Sequence, residues 1–204
     1  MCGRAAISPE HIKDNEADGI YGSALYPTEG LLLFRVPDSE LLSAVFRRYN
    51  DWIAEFCRAC PRRLKGIALI DVDDIPGAIK EPEHARKLGL AGAMITVYPA
   101  DDRSRTTALL GGGPGSGDAL KLAIATNRLL PGIPPEDNPP QRPSLLANAD
   151  HWVRVSLGHL IFTGVFERYP RLRVGSVEHE QSGVPHFLER LDYTYMQRAR
   201  HPGW

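Results

Sequence analysis

The 204-residue chain has no apolar run close to the ~18 residues that a membrane span needs, so no transmembrane helix is expected. Met1 to Glu10 contain no apolar signal core, and Cys2 rather than Gly follows Met1; neither a secretory leader nor N-myristoylation is predicted. Cysteine is scarce. Three residues, an odd number, do not make a disulfide framework. Charge of one sign is also missing. Lys plus Arg number 24, Asp plus Glu 25, and the net charge is −1, which argues against retention on nucleic acid or anionic lipid by bulk charge. The basic pairs Arg47-Arg48 and Arg62-Arg63 lack the interleaved aromatics of a nucleic-acid platform. These absences predict a soluble cytoplasmic protein with no membrane and no nucleic-acid partner.

Glycine (19) and proline (17), by contrast, are abundant. The surplus is concentrated between Gly111 and Pro143, a stretch that cannot be regular for most of its length. With 43% hydrophobic and 24% charged residues the composition is otherwise globular. The expectation is a single domain over 1–204, with a Gly/Pro-rich loop region at 101–147.

Outside that region strands and helices alternate. Ile20 to Tyr26 reads as a strand ended by Pro27. After Asp38 and Ser39, both good N-caps, Leu41, Leu42, Val45, Phe46, Tyr49, Trp52, Ile53 and Phe56 recur at helical spacing. Leu64 to Val72 is nearly continuous in apolar residues, as a strand buried on both faces should be. Asp73 and Asp74 ahead of Pro76 predict a helix to Leu88, with Pro82 inside it. Ala91–Tyr98 and Leu120–Thr126 read as strands, His151–Tyr169 as a helix, Leu172–His179 as a fifth strand, and Val184–Arg200 as a final amphipathic helix. His11–Ala17 reads as the tail of a helix ahead of the first strand. Such alternation predicts an α/β fold of parallel βαβ units, with ligand chemistry at the carboxyl ends of the strands. Two architectures fit: an open doubly wound sheet, or part of a (β/α)8 TIM barrel with about five parallel strands and outer helices.

Several motifs lose their first appeal on physical grounds. Cys57-Arg-Ala-Cys60 has redox spacing but closes a helix C-terminus, the wrong electrostatic end for a low-pKa thiol. Gly111 to Gly117 is followed by Asp118 and Ala119, not by the Lys and Ser/Thr of a phosphate loop, and reads as a linker. His84, His151, His159, His186 and His201 fall on predicted helices or the tail and read as surface or packed residues. Glu178-His179-Glu180, at the end of the fifth strand, is placed where barrels put metal ligands and acid–base groups. Tyr26, Thr28, Tyr98 and Arg128 also lie at predicted strand carboxyl ends and are the candidate pocket lining. An arginine at 128 could pair with a substrate carboxylate in bidentate fashion.

The strings Asp18-Gly-Ile-Tyr-Gly-Ser-Ala-Leu-Tyr-Pro-Thr28, Leu64-Lys-Gly-Ile-Ala-Leu-Ile-Asp71, Leu88-Gly-Leu-Ala-Gly-Ala-Met94, Phe166-Glu-Arg-Tyr-Pro-Arg-Leu-Arg173, Ser176-Val-Glu-His-Glu180 and Pro185-His-Phe-Leu-Glu-Arg-Leu-Asp-Tyr193 follow one another at set spacings. Together they resemble the amidohydrolase-related family of metal-dependent TIM-barrel proteins, which includes aminocarboxymuconate-semialdehyde decarboxylase. The resemblance covers nearly the whole chain apart from 102–117. It implies a barrel with a divalent metal, usually zinc, held by an HxH on the first strand, a His on the fifth, often a His on the sixth, and an Asp on the eighth. On that correspondence the strands here are the family's second to sixth, as if truncated at both ends. Ala123 stands where the fifth-strand His is expected, and His179, with Glu178 beside it, stands at the sixth-strand position. No HxH occurs.

Two functional expectations follow. The first is a metal-dependent hydrolase or decarboxylase of a small carboxylated or cyclic substrate, inactive as this isolated chain and without a complete metal site in it. The second is a truncated, non-catalytic paralogue or association module, whose open sheet edges predict a homo-oligomer.

Overall fold

The computed structural model describes residues 4–27, 29–36, 38–96, 121–125, 148, 150–177, 179 and 181–198. Its first helix, α1 (Arg4–Ala17), is longer than the tail read from sequence, and leads to β1, confined to Ser23–Leu25. The strand is shorter than predicted because the flanking backbone has other partners. Ile20 N–H donates to Asn15 O at 2.7 Å, and Arg63 donates to the carbonyls of Ile20 and Tyr21 while pairing with Glu16. Arg63 thereby ties the α1–β1 turn to the start of the next strand. Gly22 is required at this junction: a Cβ there would lie 2.5 Å from Arg63 O.

A 3-10 helix at Glu29–Arg35, not legible as a period in Leu31-Leu-Leu-Phe34, buries Phe34 against Phe46 in an edge-on contact with centroids 4.8 Å apart. Helix α2 (Ser39–Cys57) starts as predicted, with Asp38 extended and accepting from Leu41 N–H at 3.0 Å. Strand β2 (Leu64–Leu69) is followed by α3 (Ile75–Lys87), capped by Asp74 through Gly77 N–H at 3.2 Å, with Pro82 inside it. Then come β3 (Gly92–Thr96) and β4 (Lys121–Ala125). The single helix predicted over His151–Tyr169 is two, α4 (His151–Phe162) and α5 (Val165–Arg168), because Gly164 turns into the left-handed region at φ 69°. Strand β5 (Arg173–Ser176) and α6 (Val184–Arg198) complete the described elements.

The five strands are all parallel and lie in sequence order, β1-β2-β3-β4-β5. A doubly wound sheet reverses its order at a switch point. Strands that always add to the same side, through right-handed crossovers, put their helices on one face, as in a TIM barrel. The order therefore selects the partial barrel over the open sheet.

The buried residues sort by face. Leu64 and Ala68 of β2, Ile70 and Val72 just beyond it, and Ala93 and Ile95 of β3 pack under the helices against Ile53, Ala54 and Cys57 of α2, Ala78 and Ala85 of α3, and Val153 and Leu160 of α4. The alternate residues Ile67, Leu69 and Met94 form a second cluster with Phe34, Leu42 and Phe46 on the concave face. Helix α2 thus contributes to both clusters, its C-terminal half outside the sheet and its N-terminal half past the edge of β2. It can do so because β1 stops opposite Gly66. Beyond that point the free edge of β2 is closed by Asn50, fully buried, whose carboxamide accepts from Leu69 N–H at 2.8 Å and donates to Leu69 O at 3.0 Å.

Candidate functional site

Among the described residues the carboxyl ends of the strands carry three buried polar side chains, Asp71, Thr96 at the end of β3, and His179. Asp71, two residues past β2, is 6% exposed. Its Oδ2 accepts from Ser39 Oγ and, at 3.3 Å, from Ser43 Oγ, and its Oδ1 accepts from Asp73 N–H at 3.0 Å. A carboxyl group inside the apolar run Ile70-Asp71-Val72 has to find hydrogen-bond partners within the fold. Here it staples the first two turns of α2 to the end of β2. Its position in a buried strand sequence was the signal by which sequence reading could have found it.

His179 is 3% exposed and lies three residues beyond the end of β5. Its Nδ1 lies 2.9 Å from the hydroxyl of Ser176, the last residue of the strand. The predicted fifth strand therefore ends three residues early, and alternation along a strand does not decide where His179 points: it sits in a bend that turns back onto the strand terminus. Ser176 is fixed by its register opposite Ile124 of β4. Ser176 was not legible in the sequence, because Ser-x-x-His carries no periodic or motif signal.

Of the other candidates, Tyr26 lies one residue past β1 and is 40% exposed. It and His179 share the carboxyl end of the sheet but belong to its two edge strands. Thr28, Tyr98, Arg128 and Glu178 lie outside the described residues, as do most of 101–147 and the segment from Thr106 to Asp118. The cysteine pair behaves as expected. Cys57 is buried at the end of α2, and burial pushes its thiol pKa up despite the hydrogen bond with the Gly66 backbone and the nearby Lys65 charge. His84 is a surface residue, its Nε2 3.3 Å from Asp51.

A cavity of about 530 Å³ opens between α2 and α3 at the end of β2, lined by Ser43, Arg47, Asp71, Asp74 and Glu81 among others. One wall is a buried network. Glu81 accepts from Asn50 Nδ2 at 3.1 Å and from Arg47 at 3.0 Å. The cavity's lining carries both signs of charge and does not include His179, so it is a separate feature from the histidine site.

A divalent metal held by protein alone needs three or four converging ligands. Among the described residues no group of three or more His, Cys, Asp or Glu side chains is placed to hold one. The backbone position at which the resemblance puts a second histidine is Ala123, paired in register with Gly175. His179 alone does not fit a metal; it can be at most one member of a ligand set. Among the described residues no helix is long and apolar enough to cross a membrane.

No protein-family model matches the chain. In sequence it is similar to gamma-resorcylate decarboxylase of Rhizobium radiobacter, 27% identical over 168 residues, which cover 78% of this chain and 51% of the relative. In structure it is similar to 2,6-dihydroxybenzoate decarboxylase complexed with 2,6-dihydroxybenzoate, with a TM-score of 0.69 and 22% identity over 95% of this chain and 62% of that one. It is also similar to 5-carboxyvanillate decarboxylase of Novosphingobium aromaticivorans with bound manganese, with a TM-score of 0.65 and 23% identity over 94% of this chain and 56% of that one. The resemblance read from sequence holds: the relatives and structural neighbours are decarboxylases and amidohydrolases of that group. The chain spans about half the length of the curated relatives it matches. Zinc, the metal expected from sequence, gains no support from the 5-carboxyvanillate enzyme, which holds manganese.

Proposed function

We propose that this chain contributes the central strands and one histidine of a metal-dependent decarboxylase site for a small aromatic carboxylate. The observation that supports the reading most is the buried His179 at the carboxyl end of a sequentially ordered parallel sheet, in a chain related to gamma-resorcylate decarboxylases. Loss of CO2 from an aromatic carboxylate leaves an electron pair on the ring carbon, which needs a proton donor. In this reading His179 either holds the divalent cation, manganese or zinc, or moves that proton. Arg128 pairs with the carboxylate, Tyr26, Thr28 and Tyr98 line the pocket, and Glu178 is a second candidate metal ligand beside His179. Among the described residues no set of three ligands converges, so the isolated chain is expected to be silent until further ligands are supplied.

The test is CO2 release from 2,6-dihydroxybenzoate and 5-carboxyvanillate with manganese or zinc, for the chain alone and with the missing barrel segments of a related decarboxylase added as a second polypeptide. The reading predicts turnover only in the complemented sample, abolished by a chelator and by His179→Ala. Turnover that ignores the metal or survives His179→Ala contradicts it, as does a folded complemented sample with no turnover.

A second reading, a non-catalytic association module, is favoured by the edges that β1 and β5 present among the described residues and by α6. That helix has no buried residue among those described, and Val184, Leu188, Tyr195 and Met196 are exposed along it.

A further inference from the structure

We propose that Ser176 is a positioning residue for His179: its hydroxyl accepts from Nδ1–H and thereby fixes the tautomer in which Nε2 carries the lone pair. The inference deepens the reading above, because only that nitrogen could then take a metal or a substrate proton. It rests on three observations. Nδ1 and Ser176 Oγ are 2.9 Å apart, a full hydrogen bond. The ring is almost entirely buried, so its orientation is set by the protein rather than by water. Ser176 is the terminal residue of β5, held by the ladder to β4, and is therefore a fixed point rather than a mobile loop hydroxyl.

The direction of the bond is part of the proposal, and the exposure of Ser176 is compatible with it. A serine hydroxyl is both donor and acceptor, and its hydrogen rotates to suit. Ser176 is exposed, so water can receive its proton while its oxygen lone pair faces the ring. An imidazole Nδ1–H aimed at an oxygen acceptor is the arrangement that sets ligand histidines in register, and losing such a partner costs roughly 10–100-fold in metal affinity or activity. Ser176 would serve the same end for a histidine that transfers a proton.

The tautomer is directly observable by 15N NMR of the histidine rings in the full chain, at a pH where the imidazole is neutral. His179→Gln identifies the resonance. The expected result for the wild type is a protonated Nδ1 and an unprotonated Nε2. Ser176→Thr, which keeps the hydroxyl, is expected to preserve that pattern. Ser176→Ala is expected to lose it, the two ring signals moving toward one another as the Nε2–H form becomes populated. A wild-type ring protonated at Nε2 overturns the proposal whether or not the alanine variant folds, and so does a folded Ser176→Ala with an unchanged pattern. The readout needs neither metal nor turnover, so failure of the decarboxylase reading and failure of the Ser176 assignment are distinguishable.

Discussion

At Asn50 both functions of one carboxamide are engaged. It pairs with the N–H and C=O of Leu69 where β1 has run out, and also donates to Glu81. Asn50→Leu keeps the volume but leaves two backbone groups and a carboxylate short of partners. Each unsatisfied buried group costs about 1–3 kcal/mol. The expected loss is about 3 kcal/mol, read as a lower urea midpoint at unchanged slope; an unchanged midpoint would show that water closes the edge equally well. A second residue-scale prediction concerns alkaline pH. Burial raises the pKa of the Cys57 thiol, and burial together with the Cys57 charge raises that of the Tyr49 phenol. Both groups are held neutral in the fold, and the unfolded chain releases their protons first. Their contribution is full below the ordinary thiol and phenol ranges and is lost as pH rises through those ranges toward the raised values. Urea midpoints should fall with increasing pH above the thiol range, and less steeply in Cys57→Ala.

The helices and strands show which parts of the sequence were informative. Helix α2 was legible because a cap and an apolar period agreed; β2 and β3 were legible because burial on both faces makes them continuously apolar. What the sequence did not disclose was tertiary. The shortness of β1 depends on Arg63, more than forty residues away, claiming the carbonyls of Ile20 and Tyr21. The end of β5 depends on a histidine folding back onto Ser176, and Leu31 to Phe34 became a 3-10 turn because Phe34 found Phe46. The site was legible in part for the same reason. His179 stood out by its place after an apolar strand, but Asp71 looked like the end of a strand and Ser176 like filler.

Close packing between elements gives a third prediction. At Gly66 a Cβ would meet Leu90 at 2.9 Å, Ile53 at 3.0 Å and Cys57 at 3.2 Å, so α2 lies directly on β2 there. Gly66→Ala overpacks this contact and should destabilise by about 1–3 kcal/mol. A stability gain in thermal melts would mean that α2 slides outward without penalty.

For the molecule as a whole, sequential strand order makes a sheet that curves toward closure, yet β1 and β5 each have a strand on one side only among the described residues. Their unpaired backbone groups, with the exposed apolar side chains of α6, favour association. Light scattering should show a mass above the 22.6 kDa of one chain that rises with concentration. A monodisperse monomer across that range would count against the association reading.

In the proposed reading the chain folds as a barrel segment whose His179 is one member of a metal site completed by further groups. The most direct test is thermal unfolding followed by circular dichroism, with and without manganese or zinc. A metal bound only to the folded state at a hundred times its dissociation constant adds about 2.7 kcal/mol. A cooperative melt whose midpoint neither metal moves is the expected result. A midpoint raised by metal, and restored by His179→Ala, would show a complete site in this chain and contradict it.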